Sequence, residues 1–251
     1  MFTKKRKGRL PKVRRRAGES VSEERERRVY DTLPVIVFAP LTFWCLFLVT
    51  QLQQSNPTLR RPAFWLSFAI IFTILSAIWF MRLFHIARRL NRGERGELHV
   101  ADVLEELRSD GYKPVHDIVG DGFNIDHVIV GPGGVFAIET KYRSGKGQIT
   151  FRNTEGVFVG DRLEEKDCLK QARGSAREIR NLIHENCGRG EWVTPIVVFV
   201  GDWKIRNEWH DTNTRVFTPE GLLRYIRNQQ AQLTRREIEL IVSHLERSAR
   251  G

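Results

Sequence analysis

Cysteine is scarce in this sequence, and the few cysteines present lie far apart. Only three occur in 251 residues: Cys45, Cys168 and Cys187. An odd number of widely separated cysteines predicts no disulfide framework, and their spacing fits no zinc site. Cys45 lies in an apolar run, and the other two fit a reducing compartment. The sequence also lacks internal repeats, and low complexity is confined to its N-terminal tail.

Acidic residues are scarce only in the first part of the chain. Residues 1–30 hold twelve Lys/Arg and four Glu, a net +8, and residues 31–92 hold six Arg and one Asp, a net +5. Residues 93–251 hold 23 basic and 25 acidic residues, a net −2, so the total of +11 belongs to the first 92 residues. The high overall charge is therefore weak evidence for nucleic-acid binding by residues 93–251.

Two long apolar runs follow the basic tail, at about 33–52 and 63–83, and neither contains a charged residue before Arg82. Each reaches the ~20 residues that a membrane-spanning helix needs. Both are apolar on all sides, which disfavours core helices of a soluble protein. The first run begins too late and is too long for a signal peptide. The sequence therefore predicts a transmembrane helical hairpin, inside which Pro34 and Pro40 can be tolerated.

The distribution of Lys and Arg predicts the orientation of this hairpin. Twelve basic residues precede the first run, whereas the loop between the runs has only Arg60 and Arg61. Five arginines follow or end the second run: Arg82, Arg88, Arg89, Arg92 and Arg95. The positive-inside rule then places both termini in the cytosol of a multi-pass protein of the inner (cytoplasmic) membrane. The tail can be the topology signal alone, bind anionic lipid, or contact nucleic acid.

Residues 93–251 have the alternation of helical and strand patterns that is typical of an α/β layer architecture. The predicted elements are, in order, a helix at 94–109, strands at 112–118, 124–130 and 135–141, a hairpin at 148–152 and 157–159, a helix at 164–185, strands at 195–200 and 215–217, and two helices that begin near 219 and 234. Together they predict a mixed sheet flanked by helices.

The chemically informative feature is Asp126 followed thirteen residues later by Glu139-Thr140-Lys141. Side chains alternate across a strand, so Glu139 and Lys141 share one face. If Asp126 lies on the adjacent strand, two carboxylates and an ammonium group converge. Carboxylates can hold Mg²⁺, which polarises a phosphoryl oxygen and lowers the pKa of bound water. A lysine can position that water and stabilise developing negative charge.

An isolated Glu-x-Lys is usually an ordinary pair on the surface of a strand. Here both carboxylates interrupt apolar runs, NIDHVIV and VFAIETK. Charges in such surroundings are costly unless they are paired or bound to metal. We therefore predict a site at Asp126 and Glu139 rather than a solvent-facing ladder.

Four strings together resemble a known family: GERGELHV, HDI, IDHVIVGPGGVFAIETK and DCLKQA. Over about residues 93–203 the chain is similar to the nuclease-related domain, NERD, of the PD-(D/E)xK superfamily. The resemblance implies a restriction-endonuclease-like fold that binds Mg²⁺, or alternatively Mn²⁺, through Asp126 and Glu139. It implies that Lys141, Glu97 and Gln171 complete the catalytic set. Ile125 replaces the superfamily's proline, and His127, on the opposite strand face, is expected to be a core residue.

The resulting expectation is a membrane-anchored, Mg²⁺-dependent nuclease that hydrolyses DNA phosphodiester bonds at the cytosolic face. Its partners are then nucleic acid, with DNA favoured, and the lipid bilayer. The alternative is a membrane-tethered module of the same fold that binds nucleic acid or protein with little or no turnover. The neutral charge of residues 93–251 keeps this alternative open, because DNA-binding surfaces usually cluster Lys and Arg.

Overall fold

The computed structural model describes residues 16–52, 62–119, 124–152, 156–160, 162–163, 167–188, 192–207 and 214–248. The chain divides into two compact units. One comprises residues 21–92, and the other comprises residues 93–251 together with the residues up to Ser20. Most of the basic tail and the loop between the apolar runs lie outside the described residues.

The first unit contains most of two long helices, which form a hairpin. Helix α1 spans Glu19–Leu52 and contains both prolines, and helix α2 begins at Pro62 and ends at Glu105. The helices meet through stacked rings, Phe43 on Phe72 with centroids 4.2 Å apart, and through a 3.1 Å hydrogen bond from Trp44 Nε1 to Thr73 Oγ1. Both helices are long and apolar enough to cross a membrane, and their apolar stretches are 6% buried. Two such helices are weak evidence of a membrane anchor.

Both helices are longer than the apolar runs from which they were predicted. Helix α1 already begins at Glu19, inside the segment predicted as tail, where Glu24 pairs with Arg27 at 2.8 Å and with Arg28 at 2.5 Å. Charge pairs three and four residues apart support a helix without apolar content. Helix α2 joins the predicted 63–83 and 94–109 helices into one, and a 3₁₀ turn at 106–110 completes it. The intervening residues lack proline, so the change in composition there is no structural break.

Within its described residues, the second unit contains a seven-stranded mixed sheet with three further helices. The strands are β1 Lys113–Val119, β2 Asn124–Gly131, β3 Gly134–Arg152, β4 Gly156–Val159, β5 Arg162–Leu163, β6 Val193–Asn207 and β7 Arg215–Phe217. The helices are α3 Cys168–Cys187, α4 Pro219–Arg227 and α5 Arg235–Ser248. Strands β1 to β5 pair antiparallel in chain order, β6 pairs parallel with β3, and β7 pairs parallel with β6.

Strand β3 is the centre of this sheet and is longer than predicted. The sequence predicts two strands, 135–141 and 148–152, but the structure has one strand with an irregularity between Tyr142 and Lys146. Pairing with β6 continues on both sides of that irregularity, which holds the two halves in one strand. The prediction of a mixed sheet with flanking helices is confirmed.

Helices cover both faces of the sheet. On one face α3 and α5 contribute Ile179 and Ile241 to a cluster that includes Val128 and Ala137. On the other, the end of α2 and α4 pack over Phe136 and Ile138. The predicted helix starts are confirmed, since Thr218 caps α4 and the Thr234–Glu237 pair caps α5. The strand segments that carry Asp126 and Glu139 are therefore fixed between two packed layers.

Candidate active site

Asp126 and Glu139 lie next to each other where β2 and β3 separate. Regular pairing of these strands begins at His127 with Ile138, so Asp126 and Glu139 stand one residue beyond the last pair. Instead of a backbone partner on β2, the Thr140 N–H donates to Asp126 Oδ2 at 2.7 Å. Both carboxylates are buried, Glu139 with only 3% of its surface exposed. The predicted adjacency of the two acids is therefore present in the fold.

Lys141 joins this pair on the same face of β3. Its Nζ donates to Glu139 Oε1 at 2.7 Å and to Gln171 Oε1 at 2.9 Å. Gln171 stands near the start of α3, which Asp167 caps by accepting from the Lys170 N–H. The Lys141 side chain is 14% exposed, so it bridges the buried carboxylates and solvent. The ammonium group donates to two acceptors and remains partly exposed, so it can contact a bound substrate.

Glu97 reaches the same cluster from helix α2. It lies well inside that helix, so an ordinary preference for acids at a helix start does not explain it. Its neighbour Gly96 lets α2 approach β3 closely, because an added Cβ there would lie 3.1 Å from the Tyr142 Cβ. Burial, and next the negative charges of Asp117 and Glu139, raise the pKa of Glu97 to about 7.

Asp117 is a member of this acidic cluster that the sequence analysis missed. It stands on β1 between the pairs His116–His127 and Ile118–Ile125, and so opposite Asp126. Its side chain is 1% exposed, and its φ of 51° is the left-handed conformation that non-glycine residues rarely adopt. Such an outlier costs of order 1–3 kcal/mol and is typical of functional sites. An acid inside an apolar strand, the signal that identified Asp126, was present here too.

A short N-terminal segment, residues 17–20, closes one side of the cluster. The Ser20 N–H donates to Asp117 Oδ2 at 3.0 Å, and Asn124 Nδ2 donates to Ser20 Oγ at 2.9 Å. A backbone hydrogen bond from Gly18 reaches Glu97 and opposes the rise of its pKa. Gly18 has a φ of +76°, which glycine adopts without strain. The sequence analysis treated this segment as tail, and no local pattern marks it.

The cluster contains four carboxyl groups and one lysine, so ionised carboxylates there would repel one another. Burial, and then the charges of Glu139 and Glu97, raise the pKa of Asp126 well above its usual range. Burial also raises the pKa of Glu139, although Lys141 opposes the rise. Glu139 Oε2 is buried and has no hydrogen-bond partner among the described residues. These features fit a hard cation, because a bound cation would supply both the missing charge and the missing partner.

The donor set resembles a Mg²⁺ site more than a closed protein cage. Within the described ranges, no three His, Cys, Asp or Glu side chains converge as a ready-made metal cluster. Mg²⁺ needs no such cluster, since it is commonly held by one or two carboxylates, with waters and substrate phosphate completing its shell. Asp126 and Glu139 are the two carboxylates that could hold it.

The histidine beside Asp126 plays no part in the cluster. His127 is completely buried, as predicted for a core residue, and its Nδ1 lies 2.9 Å from His116 Nδ1. Burial lowers the pKa of both histidines, so both are neutral at pH 7. The pair stabilises the β1–β2 ladder from the opposite side of the strand.

Comparison with known proteins gives one family match, which includes the site residues. Residues 92–200 match the family model described as the nuclease-related domain, NERD. No curated protein and no solved structure matches the chain. The matched range contains Glu97, Asp126, Glu139, Lys141 and Gln171, and its limits agree with the extent predicted from the sequence strings. Residues 92–200 of this chain are therefore similar to the nuclease-related domain, NERD.

Proposed function

We propose that the chain is a membrane-anchored, Mg²⁺-dependent nuclease that hydrolyses DNA phosphodiester bonds at the cytosolic face of the membrane. The observation that carries the proposal is the buried Glu139, whose Oε2 has no described partner and whose neighbours are Asp126 and Lys141. A buried carboxylate in this state is stabilised by a cation. The restriction-endonuclease-like fold that the family resemblance implies belongs to the same proposal.

Asp126 and Glu139 would hold the metal, and Mn²⁺ could take the place of Mg²⁺. When bound, the ion supplies Lewis-acid stabilisation of a phosphoryl oxygen and raises the acidity of a coordinated water. The hydrogen bond from Thr140 fixes Asp126 Oδ2, which leaves its second oxygen for a ligand. Glu97 and Asp117 add negative charge around the two ligands, and this charge increases the attraction for a divalent cation.

Lys141 is the residue that we assign to the chemistry of the phosphodiester. Its Nζ can donate to a water molecule or to a non-bridging phosphate oxygen, where negative charge increases in the transition state. Gln171 restricts the lysine to one orientation, because its Oε1 accepts from the same Nζ that bonds to Glu139. Gln171 thus acts as a positioning residue and Lys141 as the catalytic one.

The membrane location rests on two properties of the N-terminal part. The apolar stretches of α1 and α2 are 6% buried, so the described fold does not cover them. Lys and Arg crowd the tail and the arginine-rich segment after the second run, and the loop between the runs has only two. A lipid bilayer covers the apolar surface, and the positive-inside rule directs both termini to the cytosol.

A second candidate is a binding module with this fold and no meaningful turnover. One observation favours it: the ammonium group of Lys141 already bonds to Glu139 and to Gln171. This module would bind nucleic acid or protein at the membrane without cleaving it. Metal dependence and turnover separate the two candidates.

The test is a cleavage assay with the purified full-length chain in detergent. Single- and double-stranded DNA and RNA are incubated with Mg²⁺, Mn²⁺ or chelator. We compare the wild type with Asp126→Asn, Lys141→Ala and the control Lys113→Ala, a partly exposed lysine at the other end of β1. The proposal predicts metal-dependent cleavage that the first two substitutions abolish and the control retains. Absence of cleavage by the wild type under every condition would favour the binding module.

A further inference from the structure

A groove lined by arginine side chains lies on the flank of α3 that faces away from Gln171. It is a cavity of about 190 Å³ between α3 and the start of β6. The side chains that define this groove are Arg173, Arg177, Arg180 and Trp192. Val193 and Pro195 of β6, with Ala176 of α3, complete its lining. The groove contains none of the residues assigned above to metal binding or catalysis.

The three arginines form one stripe, because residues three and four apart share a helix face. All three are exposed, and none has a carboxylate within ion-pair distance among the described residues. Guanidinium groups bind phosphate through paired N–H donors, and they also stack on planar rings. Three arginines around one cavity, without an ion pair to any described residue, therefore favour a ligand with more than one phosphate.

Trp192 gives the groove its second chemistry. Its side chain is 57% exposed, although it immediately precedes the buried Val193 of β6. Trp192 thus adjoins the first residue of β6, and its indole is exposed beside the edge of the sheet. Aromatic rings beside cationic side chains are the usual means by which proteins bind single-stranded nucleic acid, since every base can stack on a ring. A duplex has its bases stacked already and offers only phosphates to such a surface.

The groove and the carboxylates lie close to each other along the direction of β6. In the β3–β6 register Glu139 pairs with Val197, and the groove rests on Pro195 and Val193, two and four residues earlier on β6. Strands rise ~3.3 Å per residue, so the separation along the strand is roughly 7–13 Å. One nucleic-acid strand advances ~3.4 Å per nucleotide in a duplex, so a few nucleotides cover that distance.

We propose that this groove binds a single nucleic-acid strand, with a base stacked on Trp192 and the adjacent phosphates on Arg173, Arg177 and Arg180. The inference deepens the proposed function, on which it rests for its biological use, by naming single-stranded nucleic acid as the substrate class. The groove would hold the strand a few nucleotides away from the bond that Lys141 and the carboxylates act on.

The test measures binding without catalysis. The full-length chain in detergent, with chelator, is titrated into a fluorescein-labelled oligodeoxythymidylate, a duplex of equal length and an abasic oligonucleotide, and anisotropy is recorded at several salt concentrations. Variants are Trp192→Ala, Trp192→Phe, Arg177→Ala and the control Arg236→Ala, an exposed arginine of α5. Thermal melts confirm that each variant is folded.

Loss of one stacked base should weaken binding of the thymidylate by roughly 5- to 150-fold in Trp192→Ala. Trp192→Phe should retain most of the affinity, and the abasic oligonucleotide should be insensitive to either substitution. Arg177→Ala should reduce the slope of log K against log salt by about 0.7, the value for one phosphate contact on a single strand. The duplex should bind more weakly, and Arg236→Ala should match the wild type.

Three results would overturn the inference. The first is that the wild type binds no oligonucleotide. The second is that Trp192→Ala and Arg177→Ala bind like Arg236→Ala. The third is that duplex and abasic strands bind as tightly as the thymidylate, which would reduce the groove to a general anion-binding surface. Because no metal is present, failure of the proposed cleavage leaves these results unaffected, and the two proposals can fail separately.

Discussion

Replacing Glu97 with Gln should make the stability of the second unit less dependent on pH. The buried Glu97 carboxyl has a pKa of about 7, against 4.5 for an ordinary glutamate. The folded state therefore holds this proton more tightly than the unfolded state. Between pH 4.5 and 7 the unfolded chain ionises first, so stability falls as pH rises. Above pH 7 the Glu97 carboxyl is ionised in both the folded and the unfolded state, so the stability of the folded state falls no further.

The magnitude follows from the size of the shift. A displacement from 4.5 to about 7 corresponds to about 3 kcal/mol, at about 1.4 kcal/mol for each pKa unit. Most of this loss, about 2–3 kcal/mol, falls between pH 5 and pH 8. For a domain of this size each kcal/mol shifts Tm by about 2–4 °C, so the expected difference is roughly 4–12 °C. Glutamine fills a similar volume and carries no charge at any pH.

The assay is thermal unfolding of the full-length chain in detergent with chelator, at pH 5, 6, 7 and 8. From pH 5 to pH 8, the Tm of the wild type should fall further than the Tm of Glu97→Gln, by roughly 4–12 °C. Glu178→Gln, on a half-buried residue of α3 outside the acidic cluster, controls for a general effect of removing one charge. Equal pH profiles for the wild type and Glu97→Gln would refute the argument that burial among like charges holds this proton.

Three other outcomes follow from the same structure. Mg²⁺ should raise the Tm of the wild type more at pH 8 than at pH 5, because protons compete with the metal for carboxylates whose pKa is raised. A free Mg²⁺ concentration of 100 times Kd should stabilise the folded state by ~2.7 kcal/mol. Asp126→Asn should abolish this increase in Tm. Gly18→Ala should destabilise the second unit by ~1–3 kcal/mol in the same melts, since its φ is +76° and the new Cβ would lie 3.1 Å from Glu94 Cγ; an unchanged Tm would contradict this packing. Reporter fusions at residue 56 and at the C-terminus should report outside and cytosol respectively, and a cytosolic signal at 56 would reject the predicted topology.

The core of the site could be predicted because it depends on local pattern. Alternation along two apolar strands determines which faces Asp126, Glu139 and Lys141 share, and a tight turn between the strands brings the faces together. The starts of helices α4 and α5 could also be predicted from the sequence, because capping residues act within one turn. Gln171 depended on the family resemblance, and the structure brings its Oε1 to Lys141.

The rest of the site depends on contacts between distant residues. Asp117 interrupts an apolar strand, which is a local signal, but its unusual φ and its position opposite Asp126 are visible only in the fold. Ser20 lies 97 residues away from the carboxylate that it contacts, so no periodic signal connects them. The arginine stripe of α3 can be read from the sequence, but its convergence with Trp192 requires the crossover from α3 to β6. The continuous α2 was missed because a change of composition is not a helix stop.

The most direct test of the central claim is to locate a bound cation at the carboxylates. Crystals of the purified protein soaked in Mn²⁺ would be measured at a wavelength where manganese scatters anomalously. The account predicts one peak within about 2–2.6 Å of an oxygen of both Asp126 and Glu139, the range for hard cations on carboxylates, and its loss in Glu139→Gln. A soaked wild-type crystal without a peak there, or with a peak that survives Glu139→Gln, would contradict it.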